Sequence, residues 1–162
     1  MELKPLLVLG IGNLVLQDEG FGVHTIRELE KCSLPKDVDI LDGGTAGMNL
    51  MGTLQEYKDI LIIDAALDTS PIGTVKHIIP KFSDAYPPLI TVHEIGLKDV
   101  IEAMHLNGYC PGIELITVSV EKYDSLGMEL SPRVKATLPV AVEMVKEIVE
   151  NKMENKNRES HK

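Results

Sequence analysis

The chain alternates short runs of consecutive apolar residues with stretches in which apolar residues recur every three or four positions. Runs of the first kind are typical of strands that are buried on both faces, and the second spacing is typical of amphipathic helices. The pattern predicts strands over 6–9, 37–41, 60–63, 73–79 and 115–120, and helices over 21–31, 48–54, 97–106 and from 132 to about 150. Glycines predict a turn over 42–45, the proline and aromatic residues of 81–92 predict a long loop, and Ser131 before Pro132 is expected to cap the last helix. Strands that alternate with helices predict an α/β domain, with a mostly parallel twisted sheet and helices on both faces.

The two ends of the chain differ in this pattern. Residues 1–150 contain all the predicted elements and are expected to form a single domain. Residues 151–162 are polar and lysine-rich and show no apolar face, so we expect a disordered tail that makes no contact with the core.

Three polar residues follow predicted strands, or the loops after them, and sites in such sheets form at the carboxyl ends of the strands. Glu19 follows a glycine-containing loop, Asp64 ends a buried apolar run, and His93 stands just before a helix. Taken singly, Glu19 and Asp64 could be caps, as we expect for Asp18, and His93 could be a turn residue. Taken together, two carboxylates and one imidazole could hold a divalent metal with coordination positions left open.

The loop Gly10–Asn13 admits a rival prediction, a nucleotide-binding module. The dinucleotide pattern would place a third glycine where Val15 stands, and the carboxylates of Asp18 and Glu19 would repel a phosphate at the helix start. The sequence contains neither the HExxH pattern of zinc proteases nor the GxSxG elbow of serine hydrolases.

Charge and cysteine content narrow the classes of partner. The formal net charge of -9 disfavours nucleic acid and anionic lipid, so we expect neither as a partner. Cys32 and Cys110 cannot form a disulfide framework or a zinc ribbon. No signal segment is recognisable and no apolar stretch reaches the roughly 18 residues that span a bilayer. We expect the protein in the reducing cytoplasm.

Four motifs together resemble the maturation endopeptidases of nickel–iron hydrogenases. The first combines the Gly10–Asn13 loop with the run Asp18–Val23, and the others are Asp42–Gly47, Leu61–Ala65 and His93–Leu97. They occur in the order in which the family has them, and the resemblance extends over about residues 6–150.

The resemblance implies a specific activity. Such endopeptidases remove a C-terminal extension from the hydrogenase large-subunit precursor after nickel insertion. Glu19, Asp64 and His93 would be the catalytic and metal-contacting residues, and Asp42, Gly43, Gly44 and Thr45 would recognise the substrate. Nickel would arrive with the substrate rather than being held as a permanent cofactor, and we expect the enzyme to be a monomer.

The chemistry is left open between two routes. A metal could polarise the scissile carbonyl or its water while a carboxylate acts as base, or two carboxylates could act on water as in aspartic proteases. A nickel-binding chaperone without peptidase activity, and a germination-type protease of the same architecture, are further alternatives. His24, His77, His105 and His161 match no motif and receive no role.

Overall fold

The computed structural model describes residues 2–80, 97–121 and 126–161. Within these ranges the chain forms five strands and five α-helices, with short 3-10 turns at Gln17–Gly20 and Gly47–Leu50. In chain order the elements are β1 (Lys4–Ile11), α1 (Phe21–Leu29), β2 (Val38–Gly44), α2 (Met51–Leu54), β3 (Tyr57–Ala66), β4 (Val75–Ile78), α3 (Leu97–Leu106), β5 (Gly112–Ser119), α4 (Pro132–Lys135) and α5 (Leu138–Glu159). The predicted loop over 81–92 lies outside the described residues.

The strands form one sheet in the order β2-β1-β3-β5-β4. The first four strands in that order are parallel, and the edge strand β4 runs antiparallel to β5. The predicted α/β class with a mostly parallel sheet is therefore confirmed. Because β3 lies between β1 and β5, its carboxyl end is at the centre of one edge of the sheet.

Helices cover both faces of the sheet, as the continuous apolar strands predicted. Alternate residues of β3 point to opposite faces: Leu61 and Ile63 pack with α1, α4 and α5, whereas Ile60 and Ile62 pack with α2 and α3. Each face thus has its own apolar layer around a shared sheet. Among the described residues, no helix is long and apolar enough to cross a membrane.

The start of α1 approaches the sheet so closely that only glycine fits. A Cβ atom at Gly22 would lie 2.2 Å from the carbonyl oxygen of Ile63 and 2.3 Å from that of Ile11. These distances are far below van der Waals contact, so a side chain there would push α1 away from the strands. The glycine therefore fixes the beginning of α1 beside the carboxyl ends of β1 and β3.

The C-terminal residues correct one prediction. Helix α5 continues to Glu159, so the disordered tail predicted over 151–162 is wrong for 151–159. Met153 packs against the core, and Lys152 Nζ lies 2.6 Å from Glu114 Oε1. A single apolar residue leaves no visible apolar stripe in the sequence, and the ion pair joins residues far apart in the chain. An existing helix also needs little further stabilisation to propagate.

Other element boundaries shift by a few residues. Strand β2 runs on through Asp42–Gly44, which the glycines had predicted to be a turn. The helix that begins after Ser131 is split into α4 and α5, with Pro139 in the first turn of α5, where its missing N–H is not needed.

Candidate active site

Asp64 lies near the end of the central strand β3 and is completely buried, with 0% relative exposure. Its Oδ1 accepts a hydrogen bond from the N–H of Ala65 at 2.8 Å, and in the sheet it is paired with Thr117 of β5. A carboxylate is costly to bury, because the charged form loses its hydration. Its placement at the carboxyl edge of a parallel sheet is the position where sites of this architecture form.

Glu19 lies in the 3-10 turn that leads into α1, and it is partly buried. Its backbone is fixed on both sides: its N–H donates to the carbonyl of Leu16 at 3.2 Å, and its carbonyl accepts the N–H of Asn13 at 3.1 Å. A Cβ atom at Gly12 would lie 2.0 Å from that same carbonyl, so the glycine permits the loop to close around the turn.

The structure brings two of the three predicted residues to the same edge of the sheet. Gly22, three positions after Glu19, touches the carbonyl of Ile63, the residue just before Asp64. The 3-10 turn that carries Glu19 therefore packs against the end of β3. His93 lies outside the described residues. Within 2–80, 97–121 and 126–161, no group of three histidine, cysteine or acidic residues could hold a metal ion.

The second motif lies at this edge as well, on the strand next to β1. Asp42 and Thr45 are exposed, and Asp42 Oδ1 accepts the N–H of Gly44 at 2.9 Å. The carbonyl of Gly44, which has a φ of 47°, accepts the N–H of Gly12 at 3.0 Å. The motif is thus joined directly to the loop that precedes Glu19.

Gly43 has a packing role that its neighbours lack. It is buried, and a Cβ atom there would lie 2.8 Å from Cδ1 of Leu9 in the core. The adjacent Thr45 is exposed. Of the predicted substrate-recognition residues, Thr45 can therefore be changed with the least effect on folding.

Asp18 has a role that the sequence did not reveal. We expected it to cap its own helix, but neither the 3-10 turn nor α1 has a side-chain cap. Instead its buried carboxylate accepts the N–H and the Oγ–H of Ser131, each at 2.7 Å. The predicted capping by Ser131 is also wrong, because its hydroxyl makes no cap on α4. No local pattern could indicate this bond, since 113 positions separate its partners.

A cavity of about 740 Å³ lies away from these residues. Its walls are formed by the starts of β3 and β5 and by α3 and α5, and they include Asp59, Ile101, Gly112 and Lys152. In a parallel arrangement these strand starts are at the opposite edge from Asp64. The cavity is therefore separate from the candidate site.

Comparison with known proteins agrees with this architecture. The family model described as hydrogenase maturation protease matches residues 23–148. The Hydrogenase 2 maturation protease of Escherichia coli K12 is 36% identical over 146 residues, covering 86% of this chain and 87% of that protein. The hydrogenase expression/formation protein HupD of Rhodobacter capsulatus is 36% identical over 154 residues, covering 90% of this chain and 72% of HupD.

A solved structure extends the agreement to three dimensions. The hydrogenase maturating endopeptidase HybD of E. coli superposes with a TM-score of 0.82 at 34% identity, covering 91% of this chain and 93% of HybD. The shared fold and sequence define an α/β peptidase. The chain belongs to the hydrogenase maturation protease family, which confirms the resemblance seen in its four motifs.

Proposed function

We propose that this protein is the endopeptidase that removes the C-terminal extension of a nickel–iron hydrogenase large-subunit precursor, and that it does so only after nickel insertion. The observation that carries the proposal is the fully buried Asp64 at the end of the central strand, with the turn of Glu19 packed against that strand. A buried carboxylate at the carboxyl end of a parallel strand stands where functional sites of such sheets form.

Nickel belongs to the substrate in this proposal. Two carboxylates at one site repel each other, which disfavours the arrangement in which both are ionised. A nickel ion presented by the precursor relieves that repulsion, and Glu19, Asp64 and His93 take up its remaining coordination positions. The enzyme then binds the nickel-loaded precursor strongly and the nickel-free precursor weakly, because only the loaded precursor presents a metal ion that these three side chains can contact.

Hydrolysis adds water across the scissile peptide bond. The water oxygen bonds to the carbonyl carbon, one water proton passes to a carboxylate, and a proton is delivered to the nitrogen of the leaving amine as the C–N bond breaks. We assign the proton transfer to the pair of Glu19 and Asp64, with the substrate held in place by its nickel.

The motif Asp42–Thr45, in which Asp42 and Thr45 are exposed, is proposed to bind the precursor beside the cleavage site. It is linked to the Gly12 loop, so a chain lying against it is within reach of the Glu19 turn. We further propose that the enzyme acts as a monomer in the reducing cytoplasm. The free thiols of Cys32 and Cys110 are consistent with that compartment.

The test is incubation of the protein with purified precursor, with and without nickel, followed by intact mass measurement. We expect loss of the C-terminal extension from the nickel-loaded precursor alone, and no cleavage by Asp64→Asn. A nickel chaperone would instead bind free nickel tightly and leave both precursors intact. Equal cleavage of both precursors would refute the nickel requirement while leaving the peptidase activity standing.

A further inference from the structure

Three apolar side chains are exposed beside the turn that carries Glu19. Leu126 is 78% exposed, Met128 is 56% exposed and Val15 is 47% exposed. We call Val15, Leu126 and Met128 the docking surface. Single exposed apolar residues are common on protein surfaces and need no explanation. These three, however, lie close together, because their two loop segments are joined by backbone hydrogen bonds.

The two segments are joined through Gly127. Its N–H donates to the carbonyl of Val15 at 2.9 Å, and its carbonyl accepts the N–H of Gln17 at 2.8 Å, forming a parallel bridge. In such extended pairing, residues on either side of the bridged position point the same way. Leu126 and Met128 therefore project together, next to Val15 on the partner segment.

The backbone next to the docking surface is fixed by contacts with the rest of the fold. The Asp18 carboxylate binds Ser131, and the side chain of Leu130 is buried in the core. The exposed side chains are thus presented on a fixed backbone. Preorganisation of this kind reduces the entropy lost when a partner binds.

The docking surface is continuous with the candidate active site. Val15 lies in the loop between Asn13 and Glu19, whose backbones are hydrogen-bonded to each other at 3.1 Å. A polypeptide that presents a peptide bond to Glu19 and Asp64 extends by about 3.3 Å for each residue, so a few residues of it reach Val15 and Met128.

We propose that the docking surface binds an apolar stretch of the hydrogenase large-subunit precursor that lies next to the segment being cut. This inference rests on the proposed function. A short extended segment suits the surface because three side chains cannot supply the roughly 800 Å² per partner that a stable dimer of this chain would bury. One or two apolar side chains of the precursor are enough to cover it.

The first experiment measures affinity without turnover. Asp64→Asn should slow cleavage enough for a titration, so nickel-loaded precursor is titrated into that variant and into Asp64→Asn combined with Leu126→Ser and Met128→Ser. We expect the added changes to weaken binding at least about tenfold, as for a small cluster of apolar contacts. The matched control adds Leu106→Ser, which changes an 89% exposed leucine at the end of α3 that lines the separate cavity, and it should leave affinity unchanged.

The second experiment measures cleavage in the active enzyme. Leu126→Ser with Met128→Ser should raise KM at least about tenfold, and the effect on kcat should be much smaller, because these side chains hold substrate and do not touch the reacting bond. Val15→Thr, a nearly isosteric change, should raise KM in the same direction by a smaller factor. Melting temperature checks that each variant is folded.

The outcomes separate this inference from the proposed function. If the wild type cuts the precursor and the double variant has the same KM, or Leu106→Ser raises KM as much, the docking surface is refuted and the peptidase stands. If the wild type neither cuts nor binds the precursor, both fail. A wild type that is a dimer in solution, and that the double change makes monomeric, would show that a second copy covers the surface and would overturn the proposal.

Discussion

Strand β3 carries an aspartate near each end, and the two are used in opposite ways. Asp59 is 40% exposed at its side chain and lies 3.4 Å from Nζ of Lys152. Asp64 is fully buried, and one of its oxygens holds the backbone N–H of Ala65. An exposed ion pair costs little to form, whereas a buried carboxylate is costly unless its surroundings compensate it. The same residue type is therefore an ion-pair partner at the surface at one end of the strand and a buried candidate site residue at the other.

The contrast extends to the two edges of the sheet. At the edge of the sheet where the parallel strands begin, which we call the starting edge, Glu114 contacts both Lys152 and His77 at 2.6 Å. Burial alone would raise the pKa of Glu114, but the hydrogen bonds from Lys152 and His77 outweigh it and hold that pKa below its ordinary value of 4.5. At the other edge, where the parallel strands end, lie Asp64, Glu19 and the loop that contains Gly12. Charge is thus neutralised within the chain at the first of these edges, and we propose that the carboxylates at the other edge contact the nickel of the substrate.

The largest expected effect comes from exchanging the two aspartates for asparagine. Asp64→Asn keeps the shape and the acceptor for Ala65 N–H but removes the charge, so kcat should fall by about 10² to 10⁴-fold, as for loss of a general base. Asp59→Asn, on the same strand, should change kcat less than about twofold. Circular dichroism would check that both variants fold. Similar losses in both would mean that the two ends of β3 do not differ in function.

The next effect concerns stability at the starting edge. Lys152→Met removes the cation from a half-buried pair and leaves Glu114 with His77 alone, so the free energy of unfolding should fall by about 2–3 kcal/mol. Lys156→Met is the matched control on the same helix. Lys156 pairs with Asp37 in a more exposed position, and its loss should cost less than about 1 kcal/mol. Urea denaturation at neutral pH measures both, and equal losses would contradict the difference in burial.

The pH dependence of that loss follows from the lowered pKa of Glu114. A group whose pKa is lower in the folded state stabilises fully above its unfolded value, and the contribution disappears as the pH falls through the folded value. The difference in unfolding free energy between the wild type and Lys152→Met should therefore be largest near neutral pH and shrink below about 4.5. A difference that grew on acidification would exclude this ion pair as its source.

A smaller effect is expected at the link between Asp18 and Ser131. Ser131→Ala removes one of the two hydrogen bonds to the buried carboxylate, and it should cost about 1–2 kcal/mol, since the carboxylate keeps the backbone N–H. Asp18→Ala should cost more, because it removes the acceptor for both. In a double-mutant cycle the two losses should be less than additive. Full additivity would indicate that the two residues act independently.

The smallest change in stability is expected at Thr45 of the second motif. Thr45→Ala should leave the melting temperature unchanged and raise KM a few-fold, because Thr45 is exposed at the site edge. Gly43→Ala should lower stability by about 1–3 kcal/mol, because the new methyl meets Leu9 in the core. If Thr45→Ala unfolds the protein, or leaves KM unchanged, the motif has no recognition role at that residue.

The sequence predicted the fold well because the fold depends on local pattern. Continuous apolar runs identified β1 and β3, and three-to-four spacing identified α3, which begins and ends where expected. Strand ends are the preferred positions for sites, so the sequence placed Glu19 and Asp64 at the edge of the sheet where the structure has them, and their roles stay a prediction. The bond from Asp18 to Ser131 and the attachment of α5 through Lys152 were missed, because both depend on residues that only folding brings together.

The proposed activity depends most directly on how His93 and the substrate's nickel act together. The measurement is the ratio of cleavage rates for nickel-loaded and nickel-free precursor, in the wild type and in His93→Ala, followed by intact mass. We predict a large ratio for the wild type and a ratio near one for His93→Ala, because the variant can no longer distinguish the two substrates. The same large ratio in both proteins would contradict the proposal that Glu19, Asp64 and His93 form one site that reads the metal.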